Sequence, residues 1–517
     1  MVASTPNKWV IAGTVMTGTI MAALDASIVN VALPDMSGTL GATIEEITWV
    51  VTGYMLSNVI IMPLIAWLSV RFGRKRMYAA SALLFTAASM CCGLARTLPM
   101  MVLFRVLQGA GGGVLMTVSQ AILREAFPLH EQGIAMGVYG MGVVLAPAFG
   151  PTLGGWLTDR YAWPWIFYVN VPIGLLNVLL VQRFIADPPY LVRERGRVDV
   201  PGIVLLALGL GALQLMLEEG QRKDWFASSF IVTLAVASGL GLALFIWREL
   251  ATDRPAVDLR ILKSVSFTSA TALGGVLGMG LYGSLFLLPL FLQNLLGYPA
   301  ETAGLALMPR SLAMAVVMPI GGLLYNRLGP RVLIATGLVV SAFSFRELSQ
   351  LTTAVGFWDV FVPQVWQGVG FSLIFVALST AALGAIEKAK MTAAAGLYNV
   401  VRQVFGSVGI AVAATTLTTG IARYHDALAE HVTMYDPVTR QWLGAVTAAL
   451  RAAGSDAFTA ARRALDLLNI DVTHQATVLS YNHVFALVML LFAIALPLVL
   501  LLRATGARDD ATALIGE

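Results

Sequence analysis

Asp25 is the residue in this 517-residue chain whose type and setting most directly promise chemistry, because it interrupts an apolar run from about Trp9 to Leu33. An ionised carboxylate at the centre of a hydrocarbon layer costs about 2.5–3.5 kcal/mol on insertion scales. Such a group loads and releases a proton as its access to water changes. Arg105, early in another apolar run, needs a carboxylate or backbone carbonyls as partner, and Asp25 is the obvious candidate. Arg310 and Arg402 are the other cations in apolar segments, each open between an interfacial pair and a functional role. Beside Arg402, Asn399 and Gln403 share one helical face at i, i+4 spacing. Asn30, Tyr54, Asn58, Gln120, Phe286, Gln293 and Asn294 are cavity candidates by position, although each alone is more readily a packing residue than a ligand. Catalysis is not indicated: there is no GxxxxGK[ST] phosphate loop, no metal-spaced His or Cys set and no nucleophile elbow. The reading is therefore a non-enzyme with no cofactor and no metal, and ATP is not its energy source. Cys91 and Cys92 are adjacent and imply no disulfide framework.

The elements that position these residues must be membrane helices. The chain is 58% hydrophobic and 12% charged, where a soluble domain averages about 25% charged residues. Lengths of about 20 apolar residues recur, each able to cross a core about 30 Å thick. The backbone there must satisfy its own hydrogen bonds, and the runs are too long and too uniformly apolar for barrel strands. The fold class is all-α polytopic membrane protein. Spans are expected at about 9–33, 47–70, 77–95, 99–121, 133–157, 165–184 and 200–217. Seven more follow at 229–248, 266–293, 302–325, 332–349, 358–385, 393–420 and 480–502. The first run is too long for a signal-peptide core and reads as a retained helix. The net charge of +4 carries no dense basic stripe, so nucleic acid is not a partner. Most Lys and Arg residues fall on one side of the spans, which places both termini in the cytoplasm.

An internal repeat fixes the organisation. The segment from Ala66 through Arg71, Gly73, Arg74 and Lys75 recurs as Gly322 through Arg327, Gly329 and Arg331. At nearly the same offset, Gln108-Gly109 recurs as Gln367-Gly368 and Gly137-x-Tyr139 as Gly396-x-Tyr398. Two parallel six-helix bundles with two inserted helices are expected: residues 1–185, an insertion at 186–264, and 265–517. The second bundle includes an outer loop at 421–479 and a cytoplasmic tail at 503–517. That loop has a helix-like stretch near Gln441 to Leu468, and either covers the outer face or docks a periplasmic partner.

Four segments carry a resemblance: Leu24-Asp25-Ala26-Ser27-Ile28-Val29-Asn30-Val31-Ala32-Leu33-Pro34; Arg71-Phe72-Gly73-Arg74-Lys75; Arg105-Val106-Leu107-Gln108-Gly109; and Ala146-Pro147-Ala148-Phe149-Gly150-Pro151-Thr152-Leu153-Gly154-Gly155. In this order the chain resembles the major facilitator superfamily, within it the fourteen-helix drug:proton antiporter branch, EmrB/QacA-like. The resemblance implies the major facilitator fold and proton-coupled expulsion of lipophilic or cationic amphiphilic drugs by alternating access. It gives Arg105 the task of tuning the proton-carrying acid. It also makes Pro147, Gly150, Pro151, Gly154 and Gly155 an antiporter seam, and the Gly73 and Gly329 loops gating elements. The sequence departs from the family at the acid before the loop arginine, which is Val70 here and Asn326 in the repeat. The setting implied is a bacterial inner membrane, multi-pass, with a periplasmic membrane-fusion adaptor and outer-membrane channel as candidate partners besides lipid, drug and proton. Competing readings are a dedicated exporter of one metabolite or antibiotic, and a scaffold or channel-like subunit that recruits an adaptor.

Overall fold

The computed structural model describes residues 7–188, 199–252, 255–384 and 386–502. The tail 503–517 and most of the linker after 188 therefore lie outside the described residues. The spanning helices are α1 (Lys8–Leu40), α2 (Trp49–Phe72), α3 (Arg74–Gly93), α4 (Leu98–Ala126), α5 (Gln132–Arg160), α6 (Trp165–Phe184), α7 (Val200–Glu219) and α8 (Ser229–Ala251). After α9 (Val265–Leu290), the stretch Ala300–Leu348 runs as one helix except at Gly329, whose φ of 76° breaks it into α10 (300–328) and α11 (330–348). Then come α12 (Phe357–Gly384), α13 (Met391–Ala429) and α14 (Ala457–Ala495). Twelve stretches are long and apolar enough to span. The break at Gly329 divides one of them, and the more polar α3 brings the helices of spanning length to the expected fourteen.

The repeat is visible in backbone geometry. Gly73, with φ 85° and ψ 143°, separates α2 from α3 as Gly329, with φ 76° and ψ 165°, separates α10 from α11. Both lie in a region open essentially to glycine alone. Gly73→Ala is expected to lower stability by about 1–3 kcal/mol, read as thermal unfolding in detergent. Gly38→Ala, in open helical space, should be neutral, and equal melting of the two variants would refute the assignment of strain.

The bundles meet along two repeat-related seams, α2 with α13 and α5 with α10. A methyl group at Gly137 would sit 2.6 Å from the Met318 carbonyl oxygen, and one at Gly396 2.5 Å from that of Met62. Small residues here let the backbones touch, which is how helices associate where lipid removes the hydrophobic driving force. The inserted pair sits beside the first seam. Gln214 of α7 donates to Ser407 of α13 (2.8 Å), and Trp225 Nε1 donates to Thr415 (2.8 Å).

The 421–479 expectation is corrected. No long loop forms there: α13 continues to Ala429, α14 begins at Ala457, and a separate helix, Pro437–Ala452, lies between. The helix-like stretch from Gln441 to Leu468 is broken at Gly454, where φ is 96°. At 39 residues each, α13 and α14 run about 58 Å at 1.5 Å per residue, twice a hydrocarbon core. They project beyond the membrane as a packed pair, tied by His425 Nε2 and Asn469 Oδ1 at 2.9 Å. The polar composition of that segment suits a solvated helix as well as a loop, so composition alone misplaced the boundary.

Candidate functional site

Asp25 lies near the middle of α1 and is 0% exposed. Its Oδ2 accepts from Arg105 Nη1 at 2.6 Å, and its Oδ1 accepts from Gln108 Nε2 and Asn170 Nδ2, each at 2.8 Å. Helix α4 presents Arg105 and Gln108 one turn apart, so one face of one helix supplies both donors. Arg105 is held in turn: Nε donates to the Val50 carbonyl (3.0 Å), Nη1 also donates to Gln108 Oε1 (2.8 Å), and the Tyr54 ring centroid lies 4.3 Å from Cζ. A buried ion pair persists only when its remaining donors and acceptors are met. Here the carboxylate oxygens accept from three N–H donors. Its close fit depends on Gly109, where any side chain would lie 2.2 Å from the Tyr54 carbonyl oxygen.

Sequence reasoning paired Asp25 with Arg105 but missed Asn170, which also donates to Ser89 Oγ (3.1 Å). The available signal was Asn170 with Asn177, two amides seven residues apart in an apolar helix and so on one face. Asn177 donates to the Thr14 carbonyl and to Thr17 Oγ1, both at 2.7 Å, and fixes α6 against α1.

The cavity candidates separate into three groups. Tyr54 and Asn58 belong to the buried site, Tyr54 beneath the guanidinium and Asn58 facing the Gly109 carbonyl at 3.5 Å. Gln120, Asn399 and Arg402 join across the bundles: Asn399 Nδ2 donates to Gln120 Oε1 (2.7 Å) and Arg402 Nη2 to Asn399 Oδ1 (3.0 Å). Arg402 also lies 5.3 Å from the Phe375 ring, which stacks on Tyr139. Gln403 is half-buried one residue further on. Asn30, Gln293 and Asn294 are exposed near the opposite end and Phe286 is half-buried. These four do not join the other two groups, because Gln293 and Asn294 fall in the π-turn Phe291–Leu295 that ends α9. Arg310 is buried inside the second bundle and, among the described residues, makes no interdomain pair; Ser284 Oγ accepts from it at 3.0 Å.

The end of the bundle that carries the α2–α3 loop is closed. Arg74 pairs with Glu125 in its own bundle and donates to Thr392 Oγ1 of the other (3.1 Å). Arg124 donates to the Thr380 carbonyl, and Asn326 Nδ2 to that of His130. Gly133 and Gly322 face each other so closely that a methyl group on either would lie 2.4 Å from the other's carbonyl oxygen. The acid that meets Arg74 is Glu125 at the end of α4, so the ion pair lies within the first bundle and the link to the second is the neutral Thr392 hydroxyl. Lys75 turns instead to Asp187 Oδ1 through its backbone N–H (2.8 Å) and to the Gln182 carbonyl through Nζ (2.6 Å). Arg71 is half-buried, Arg327 exposed.

The glycines of α5 divide between two neighbouring helices. Gly150 and Gly154 face Ser27 and Ile28 of α1, inside the first bundle, and Gly155 has only Val31 within reach, at 3.9 Å. Pro147 and Pro151 lie within the same helix. The seam between bundles is made about two to four turns earlier, by Gly133, Gly137 and Gly140.

Two bundles of spanning helices related by an internal repeat, a buried ion pair in one of them and close backbone contact between them at the α2–α3 loop end are the architecture of a membrane transporter. Residues 15–410 match the Major Facilitator Superfamily. The chain is 38% identical to the multidrug export protein EmrB of Haemophilus influenzae, covering 82% of this chain and 83% of that protein. It is 35% identical to the fatty acid resistance protein FarB of Neisseria gonorrhoeae, covering 93% and 94%. A double-Trp mutant of XylE superposes with a TM-score of 0.65 at 13% identity, covering 99% of each chain, which speaks to the fold alone. The chain belongs to the Major Facilitator Superfamily, in its EmrB/QacA-like multidrug efflux branch, and is a multi-pass protein of the bacterial inner membrane.

Proposed function

We propose that this transporter couples proton entry to the export of lipophilic or cationic amphiphilic compounds, with Asp25 as the proton site and Arg105 as the group that sets its affinity. The observation that carries this reading is the fully buried Asp25–Arg105 pair, whose carboxylate faces protein and not lipid. Protonation of Asp25 removes the charge that holds Arg105, leaving the guanidinium tethered only by its existing bonds to the Val50 carbonyl and Gln108 and so loosening α1 from α4. The two bundles then tilt about the α2–α13 and α5–α10 seams, opening the end that is closed here. With both termini cytoplasmic, the closed end faces the cytoplasm, and on this reading Asp25 loads its proton from the outer side. On this reading residues 1–185 and 265–517 move as units and the inserted pair follows the first seam. Gln120, Asn399, Arg402 and Gln403 lie on the path between the bundles, and Asn30, Phe286, Gln293 and Asn294 lie toward its mouth. The names of the relatives, multidrug export and fatty acid resistance, support a broad range of amphiphilic cargo. The test is proton release from reconstituted vesicles on addition of tetraphenylphosphonium under an imposed pH gradient. A channel passes protons without cargo dependence, a scaffold passes none, and either result would remove the reading.

The projecting tip supports a periplasmic adaptor as partner, one that leads to an outer-membrane channel. Tyr435 is 92% and Phe458 77% exposed there, beside exposed Met434 and Val438. Aromatic and Met side chains are enriched where proteins dock. Replacing residues 431–456 with a short Gly-Ser turn is expected to leave vesicle transport intact and to lower drug resistance of cells to near that of a pump-free host. Unchanged resistance would mean that the tip is a cover only.

A further inference from the structure

The second bundle contains a version of the Asp25 site with its charges redistributed. Gly368 repeats Gly109, and the carbonyl that crowds it belongs to Arg310 (2.5 Å), as that of Tyr54 crowds Gly109 (2.2 Å). Arg310 of α10 thus stands where Tyr54 stands in α2. Gln367 repeats Gln108 by the same offset, Gln364 falls at the position of Arg105, and Ser284 of α9 at that of Asp25. The first bundle pairs its guanidinium with a carboxylate. The second keeps the guanidinium and replaces the acid with a hydroxyl.

The partners of Arg310 are all neutral. Its Nη1 donates to Ser284 Oγ at 3.0 Å and lies 3.4 Å from Gln367 Oε1, and Ser284 passes its own proton to the Leu281 carbonyl. Among the described residues no carboxylate pairs with it. The residue is 3% exposed. A guanidinium so far from water and from any counter-charge is unfavourable unless an anion completes it. A further donor waits beside it: Gln367 Nε2 is buried without a partner. A planar fork with a neighbouring amide N–H suits a carboxylate, which accepts two parallel bonds.

We propose that Arg310, with Gln367 and Ser284, binds the carboxylate of an amphiphilic organic acid inside the second bundle, the cargo supplying the acid that this half lacks. The inference rests on the export reading for its purpose, and it separates two charges that a single site would have to alternate. The proton is held by α1 and α4, the acid cargo by α9, α10 and α12. A carboxylate arriving at Arg310 does not compete with the proton at Asp25, as a cation would.

The test compares dodecanoate with dodecanol, which share a chain and differ in the head group. Binding of each to the purified full-length protein in nanodiscs at neutral pH, followed by tryptophan fluorescence, is expected to favour the acid by about tenfold, the scale of one charge-assisted hydrogen bond. Arg310→Gln should bring the ratio to about one, and Arg310→Lys should keep part of it, because charge survives while the fork does not. Thermal unfolding checks that each variant is folded, and the wild-type ratio stands as a test without any variant. No preference for the acid in the wild type, or a preference that survives Arg310→Gln, overturns the proposal. So does a site that chloride fills with no discrimination between the two amphiphiles. The ratio is read at equilibrium without a pH gradient, so loss of proton coupling and loss of acid recognition fail separately.

Discussion

Asp25→Asn protein in lipid vesicles is expected to keep binding and exchanging cargo while its response to a pH gradient falls to the passive background. The amide keeps the shape of the carboxylate and can still accept from Arg105, but it carries no exchangeable charge. The same change leaves the 0%-exposed Arg105 without its counter-ion, and breaking a buried pair in this way costs about 3–5 kcal/mol. Melting in detergent should fall with it. That creates an ambiguity, since a destabilised transporter also loses activity. Asp25→Asn combined with Arg105→Gln resolves it, because removing both charges restores a neutral site and should recover most of the lost stability. Coupling should stay absent in the double variant. If it returned along with stability, Asp25 would be a structural bond between α1 and α4 and the proton would be carried elsewhere.

How far this site was legible in the sequence follows from the physics of each residue. A charge in an apolar run announces itself, so Asp25 and Arg105 could be found and paired although they lie 80 positions apart. Neutral amides do not stand out in that way, because Asn and Gln occur in membrane helices for packing as well as for function. Asn170 therefore went unnoticed and the cavity candidates were overgrouped. The helix count and the repeat were readable because apolar length and the loop glycines impose them. The 421–479 boundary was not, because water and the bilayer set the same helical geometry and only polarity changes where one gives way to the other. Signature residues gave the helix without its neighbour: Gly150 and Gly154 mark α5 correctly, but only coordinates assign them to α1 and not to the opposite bundle. The Arg74–Glu125 pair was hidden for a different reason. Its acid, Glu125, comes from the end of α4, more than 50 residues from Arg74, and no local motif contains it.

The seam itself makes the second large prediction. Gly133 and Gly322 bring α5 and α10 together with each backbone carbonyl in the space where the other residue's Cβ would lie, 2.4 Å away. Backbone cannot move aside as a flexible side chain can, so a larger residue at 322 must separate the helices. The separation would pull apart contacts that depend on the same approach, Arg124 with Thr380 and Asn326 with His130. Overpacking in a well-packed region costs about 1–3 kcal/mol and sometimes more, which corresponds to about a tenfold to hundredfold shift between two states. Gly322→Ala is therefore expected to weaken the closed end and Gly322→Leu to abolish it, with transport falling in the same order. A probe cysteine in place of Ala395, which is buried in the closed structure, reports the opening in a Cys91→Ser, Cys92→Ser background. Its reaction with a water-soluble maleimide from the α2–α3 loop side should rise at least about tenfold in Gly322→Leu. Gly155→Leu is the control, since its nearest neighbour is Val31 at 3.9 Å and transport should remain near normal. If Gly155→Leu were the damaging change and Gly322→Leu the silent one, the gate would lie in the proline-glycine segment of α5 and the closed end described here would not govern access.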